Sequence, residues 1–249
     1  MTPAASPLPA EAPAAAPALL ALADVHAFYG RSHILHGVSL DVPEGGITTV
    51  LGRNGTGKTT LLKTIMGLVD RTEGLIRLAG RAIEAEPTHR RARAGIAYVP
   101  QGREIIPDFS VRENILMGSF ARADGRRAVP DLVAELFPYL VANMERPGGL
   151  LSGGQQQQLA IARALAAEPR MLLLDEPTEG IQPNIVEEIE AIIVRLNREA
   201  GLTIVLVEQN VAFARAAGHG FAMMEKGRVV AAGPTADLTD EIVHRHMAV

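Results

Sequence analysis

From Leu22 to Tyr29 apolar and polar positions alternate loosely, which predicts a strand. Val38 to Val42 and Ile47 to Leu51 predict two more, separated by the turn-forming residues Pro43-Glu44-Gly45-Gly46. The spacing then changes. Leu61, Leu62, Ile65 and Met66 fall on one helical face and predict a helix over Thr59 to Leu68. Gly74 to Leu78 and Gly95 to Val99 predict short strands. From Val111 to about Leu140 the apolar spacing is helical, broken by the polar run Arg122 to Arg127. A further helix starts near Ser152 and runs through Ala166. Met171 to Leu174 is wholly apolar and predicts a buried strand, as does Thr203 to Val207. Between them Glu187 to Arg198 is an amphipathic helix. Phe221 to Ala231 predicts a hairpin turning at Lys226-Gly227, and a short helix near Leu238 to Met247 follows.

Strands alternating with helices imply an α/β domain with a mostly parallel sheet and helices on both faces. The helical block at about 105–155 reads as an insertion into that domain, and no internal repeat is visible. The chain has 249 residues, 47% of them hydrophobic, enough for one sizeable core with an inserted subdomain. Residues 1–21 are Ala/Pro-rich, lack a basic start and carry repeated prolines, so a disordered tail is expected there rather than a secretory signal. The net charge of -4 speaks against a global nucleic-acid footprint. Cysteine is absent, which excludes disulfides and thiolate metal sites. No apolar stretch approaches the roughly 20 residues that a bilayer crossing needs. The basic run His89 to Arg93 reads as a solvated helix face, with contact to anionic lipid as an alternative.

The sharpest chemical signal is Gly52-Arg53-Asn54-Gly55-Thr56-Gly57-Lys58-Thr59, which matches G-x-x-x-x-G-K-[ST] between a predicted strand and a predicted helix. Its glycines let the backbone wrap a phosphate chain with N–H groups turned inward, and the helix N-terminus adds a favourable dipole. Lys58 is placed to bridge the β- and γ-phosphates, and Thr59 to put a hydroxyl on Mg²⁺. Met171-Leu172-Leu173-Leu174-Asp175-Glu176 sends two carboxylates from the C-terminal end of a buried strand, where ligands collect in open α/β sheets. Alone this reads as a solvated loop. Beside a phosphate loop, Asp175 can hold Mg²⁺ and Glu176 can act as general base toward water.

Leu151-Ser152-Gly153-Gly154-Gln155-Gln156-Gln157 begins 24 residues before Asp175. By itself it is a serine N-cap on a helix. With the two preceding motifs it resembles the signature motif of ABC ATPases, and the resemblance extends from Leu22 to the C-terminus. It implies a P-loop NTPase (RecA-like) fold with an antiparallel β subdomain and a helical subdomain. It implies ATP and Mg²⁺, bound by Gly52, Asn54, Gly55, Gly57, Lys58, Thr59 and Thr60. Ser152, Gly153, Gly154 and Gln155 would complete the ATP site of a partner subunit. Tyr29, on its own a strand aromatic, resembles the residue on which adenine stacks. Gln101 resembles the glutamine that touches Mg²⁺ or water and links the site to membrane subunits. Gln209 stands where the family carries a switch histidine; an amide can donate to a phosphate but takes no proton. Gln182 is a second departure, at a position where many members carry aspartate.

The implied assembly is a second ABC ATPase, identical or paralogous, with two transmembrane permease subunits and an extracytoplasmic substrate-binding protein, at the cytoplasmic face of the inner (plasma) membrane. Val207-Glu208-Gln209 is similar to importers of branched-chain amino acids and of urea. Tyr98 to Ile105, and Gly153 to Gln158 with Thr178 to Pro183, favour the urea branch, since the amino-acid branch more often has Glu in place of Gln101 and Leu-Ala-Pro at 181–183. Branched-chain amino acid import is the alternative. A DNA-repair or chromosome ATPase would need a long coiled coil between Gln101 and Ser152, and no sustained heptads lie there. Translation-associated ATPases carry two cassettes, and this chain has one. A nucleotide sensor without turnover is the third rival, to be separated by phosphate release.

Overall fold

The computed structural model describes residues 17–247. Its strands are β1 (Ala18–Tyr29), β2 (Ser32–Pro43), β3 (Ile47–Leu51), β4 (Arg71–Leu78), β5 (Arg81–Ala82), β6 (Ile96–Val99), β7 (Met171–Asp175), β8 (Thr203–Glu208), β9 (Gly220–Glu225) and β10 (Arg228–Pro234). Its helices are α1 (Lys58–Met66), α2 (Thr88–Arg93), α3 (Val111–Gly118), α4 (Asp131–Leu136), α5 (Pro138–Ala142), α6 (Gly153–Leu165), α7 (Pro183–Ala200), α8 (Val211–Ala217) and α9 (Asp240–Met247).

Two sheets organise these elements. The first runs β10-β9-β3-β8-β7-β6 and is parallel except for β10, which returns antiparallel beside β9. The second, β2-β1-β4-β5, is antiparallel throughout. Every residue of β3, β7 and β8 is buried, as expected for parallel strands covered on both faces. Side chains alternate between two cores. Leu172, Leu174, Ile204 and Leu206 pack with Leu159 of α6 and with Ile189 and Ile193 of α7. Val50, Leu173, Val205 and Val207 pack with Leu61, Leu62 and Ile65 of α1 and with Leu20, Val25 and Val38 of the antiparallel sheet. The antiparallel sheet therefore rests on the parallel one through α1, the helix that follows the phosphate loop.

The inserted segment shares the first core: Val111 and Ile115 of α3 and Val133, Leu136, Phe137 and Leu140 join Leu172 and Leu174. Instead of long helices it holds α3, α4 and α5, with the latter two opening after or at Pro130 and Pro138. Arg122 to Arg127 is irregular, as its polarity predicts. α3 meets α6 at Gly118, where a Cβ would lie 1.7 Å from the carbonyl oxygen of Arg163. Only a residue without a side chain permits that approach.

Several expectations need correction. The first strand begins at Ala18 rather than Leu22, because Leu19 and Leu20 are buried in β1; residues 1–16 of the expected tail lie outside the described residues. β2 starts at Ser32, well before Val38; His33, His36 and Gly37 hide its pattern, and the β1–β2 pairing is broken by register shifts. α7 begins at Pro183, a favoured first helical position. α8 was not predicted, although Asn210 caps it by accepting from Phe213 N at 3.2 Å. The basic run at 89–93 is only partly a solvated face. Arg91 is 2% exposed. Its guanidinium donates to the carbonyls of Thr64 and Ile65 at 2.9 Å each and to those of Glu84 and Glu86 at 2.8 Å each, closing the C-terminal end of α1.

Candidate functional site

β3, β7 and β8 are adjacent, and their C-terminal ends bring the site together. Leu51 pairs with Glu208, and Asp175 pairs with Val207. The chain leaving β3 turns through Gly52 to Gly57 and enters α1 at Lys58. Gly52 has a φ of 150°, and a Cβ there would lie 2.5 Å from the Met224 carbonyl oxygen, so β9 packs directly on the loop. Lys58 is 4% exposed. Its ammonium donates to the carbonyls of Gly52 at 2.8 Å and Arg53 at 3.1 Å, and pairs with Glu176 Oε1 at 3.2 Å.

Glu176 follows β7 with a φ of 46°, in the left-handed region, and its N–H donates to the Val207 carbonyl at 3.0 Å. This sharp turn aims its carboxylate back over the phosphate loop. The second oxygen, Oε2, accepts from Gln209 Nε2 at 2.9 Å, and the same amide donates to Asn54 Oδ1 at 2.7 Å. A carboxylate accepts only, which sets the orientation of the Gln209 amide. Thr59 donates its hydroxyl to Asp175 Oδ1 at 3.0 Å, and the Tyr98 hydroxyl donates to Oδ2 at 3.1 Å. Burial pushes the Asp175 carboxyl above its ordinary value, with the neighbouring Glu176 charge in the same direction and the Thr59 and Tyr98 hydrogen bonds opposing. Burial and the Asp175 charge push the Tyr98 hydroxyl upward.

A cavity of about 320 Å³ lies over this cluster, lined by Ile34, Asn54, Gly55, Gly57, Lys58, Thr59, Thr60, Gln101 and Glu176. Gln101 thus reaches the site, but its amide donates to Glu179 Oε2 at 2.6 Å rather than to Thr59 or Asp175. Tyr29 lines a neighbouring cavity with Tyr98, Lys63 and Arg163 instead. Ser152, Gly153, Gly154 and Gln155 are outside the phosphate cavity, at the N-terminus of α6. There Ser152 Oγ accepts from Gln155 N at 3.3 Å, and Gln155 Oε1 accepts from Ser152 N at 3.0 Å, a reciprocal cap.

Sequence reasoning missed Tyr98 and Glu208. Glu208 is 4% exposed and accepts from Thr178 Oγ1 at 2.7 Å and from the N–H groups of Gln209 at 3.0 Å and Asn210 at 3.3 Å. It ties the loop after Glu176 to the turn carrying Gln209. The signal was present, since Glu208 ends an apolar strand as Asp175 does.

A buried lysine in a glycine-rich loop at a helix N-terminus, facing paired carboxylates at the ends of parallel strands, defines a P-loop ATPase. The particular kind follows from comparison. The family model for ABC transporters matches residues 35–179, and the chain belongs to that family. It hydrolyses ATP to power transport. It is 42% identical over 213 residues to the high-affinity branched-chain amino acid transport ATP-binding protein BraG of Pseudomonas aeruginosa, covering 85% of this chain and 91% of that one. It is 37% identical over 224 residues to the probable branched-chain amino acid transport ATP-binding protein LivF of Archaeoglobus fulgidus, covering 89% and 94%. Among solved structures, a dimeric ATP-binding cassette in a post-hydrolysis state with ADP and Pi matches with a TM-score of 0.74 and 27% identity over 87% of this chain and 98% of that one. These relatives do not support urea as cargo; the amino-acid alternative fits them better.

Proposed function

We propose that this chain is the ATP-hydrolysing subunit of an importer of branched-chain amino acids. The convergence of Lys58, Glu176, Gln209 and Asn54 on one cavity carries the hydrolytic part. The similarity to BraG, over 85% of this chain and 91% of that one, supports the cargo. The backbone from Gly52 to Gly57 and the Lys58 ammonium bind the β- and γ-phosphates. Glu176 accepts the proton of the attacking water, and Gln209 holds that carboxylate in line. The Thr59 hydroxyl and Asp175 carboxylate, 3.0 Å apart, are hard oxygen donors that fit Mg²⁺, which supplies charge neutralisation on the phosphates when bound. Among the described residues no group of three or more His, Cys, Asp or Glu side chains is placed to hold a metal ion.

Ser152 to Gln155 complete the nucleotide site of a second ATPase subunit, and Tyr29 stacks on adenine once nucleotide bridges the two cavities. Gln101, which lines the phosphate cavity, would be a further oxygen donor to Mg²⁺ or a partner of the attacking water. No helix among the described residues is long and apolar enough to cross a membrane. The chain attaches to two permease subunits at the cytoplasmic face of the membrane, with a binding protein delivering cargo from outside. Urea import is the second reading, favoured by Gln101 and by Ile181-Gln182. The deciding experiment is phosphate release by the transporter purified with its membrane subunits and binding protein, given leucine or urea. Stimulation by leucine supports the proposal, and stimulation by urea alone replaces the cargo while leaving the ATPase in place.

A further inference from the structure

The turn that carries Gln101 holds two consecutive non-glycine residues in the left-handed region, Arg103 with a φ of 70° and Glu104 with a φ of 46°. Such conformations persist only where the surroundings over-determine them. The turn's own bonds run from Arg103 N to the Pro100 carbonyl at 3.1 Å and from Glu104 N to the Gly102 carbonyl at 2.8 Å. They leave the carbonyls of Arg103 and Glu104 free, and both are taken by one distant side chain. Arg163 donates Nη2 to Arg103 O at 2.9 Å and Nη1 to Glu104 O at 2.7 Å. A planar guanidinium can span two carbonyls in this way; a lysine ammonium has no such fork.

Arg163 lies in the last turn of α6, the helix that opens at Ser152. The opposite end of the same helix also touches the turn, since a Cβ on Gly153 would lie 3.1 Å from Arg103 Nη1. The turn is therefore laid along α6 from its first residue to its last turn. Gln101, just before it, lines the phosphate cavity and donates to Glu179, three residues beyond Glu176. The sequence motifs assign nothing to Arg163, which lines the Tyr29 cavity and not the phosphate cavity.

We propose that Arg163 is a positioning residue for ATP hydrolysis: by holding the carbonyls of Arg103 and Glu104 it makes Gln101 follow the position of α6. The proposal rests on the ATPase reading. Lys58, Thr59 and the loop from Gly52, which make the phosphate contacts, are carried by β3 and α1, so loss of Arg163 changes turnover far more than nucleotide affinity. A residue that merely packed would instead lower the amount of folded protein.

The test is steady-state phosphate release by the transporter purified with its membrane subunits and both ATPase subunits, given ATP and Mg²⁺ and normalised to sites that bind nucleotide. Arg163→Met lowers kcat about tenfold or more, as expected when a group near the chemistry is misplaced by an ångström, with the KM for ATP within about twofold. Arg163→Lys, left with one bond of the two, falls between. Adding Glu104→Gly to Arg163→Met restores most of the lost kcat, because glycine takes a positive φ without a clamp. Should Arg163→Met fail to fold, Arg163→Lys with and without Glu104→Gly gives the same comparison. An unchanged kcat per site, a KM that rises in step with the loss, or no recovery with Glu104→Gly overturns the proposal. Wild-type transporter that binds ATP and releases no phosphate removes the ATPase reading itself, whereas active wild type with an equally active Arg163→Met removes only this role.

Discussion

Gly227, at the tip of the β9–β10 hairpin, is wedged between the phosphate loop and β2. Its N–H donates to the Thr56 carbonyl at 2.9 Å, and its own carbonyl accepts from His36 N at 2.9 Å. Its φ is +75°, and a Cβ there would lie 1.9 Å from the Ile34 carbonyl oxygen and 2.8 Å from His36 Cδ2. Gly227→Ala therefore acts twice. The left-handed conformation costs an L-residue about 1–2 kcal/mol. The overlap is with backbone, which cannot swing away, and overpacking of this kind costs roughly 1–3 kcal/mol. A loss of about 2–5 kcal/mol follows. Gly80 separates the two causes, since its φ is +78° and a Cβ would meet nothing within 4 Å. Gly80→Ala should therefore cost only the conformational part. Urea unfolding followed by circular dichroism measures both; the chain has no tryptophan to report by fluorescence. Relief of the overlap must move either β2 or the hairpin away from Thr56, so Gly227→Ala also weakens ATP binding, as read by titration calorimetry, while Gly80→Ala does not. Equal losses of stability in the two variants, or unchanged ATP affinity in Gly227→Ala, would refute the claim that this hairpin supports the phosphate loop.

Glu176→Gln keeps ATP binding and lowers phosphate release at least a hundredfold, on the order expected for loss of a general base; turnover near wild type would remove Glu176 from that role. Arg91→Met leaves the carbonyls at the end of α1 without their buried partner and costs roughly 3 kcal/mol in urea unfolding, whereas the exposed Arg90 and Arg93 lose under about 0.5 kcal/mol on the same change. Ser110→Ala removes the cap of α3, where Ser110 accepts from Glu113 N at 3.2 Å, and costs about 1 kcal/mol. Backbone and side-chain hydrogen bonds from Ser110 hold the Glu113 carboxyl below its ordinary value. Its contribution is thus present above the unfolded glutamate value and fades as pH falls through the lower folded one. Acid titration of stability should be shallower in Ser110→Ala, and an unchanged slope would contradict this.

The motifs were legible because each is local. Gly52 to Thr59 and Met171 to Glu176 each carry strand, turn and chemistry within a few consecutive residues, and their meeting follows from parallel pairing of β3, β8 and β7. What was hidden depends on contacts between distant segments. Tyr98 reaches Asp175 across a strand pairing, Glu208 reaches Thr178 across a loop, and Arg91 turns inward from a run that looks wholly solvent-facing. Residues of one charge in a row give no hint of which one finds buried carbonyls. β2 was cut short for a related reason, since its bulged pairing with β1 breaks the two-residue period. Cargo lies further away still, because no residue described at this site would touch the transported molecule.

The position of β3 has a consequence for how the molecule is made. This strand is hydrogen-bonded to β8 on one side and β9 on the other, and both are synthesised long after it. At ribosomal speeds β3 waits roughly ten to thirty seconds for its neighbours. Until then the loop from Gly52 to Thr59 has its full sequence but neither Val207 and Glu208 beside it nor Met224 and Gly227 beneath it. A nascent or truncated chain ending before Thr203 thus contains the complete phosphate motif without a phosphate site. The phosphate loop, translated within the first quarter of the chain, thus becomes competent only when the last strands of its sheet arrive.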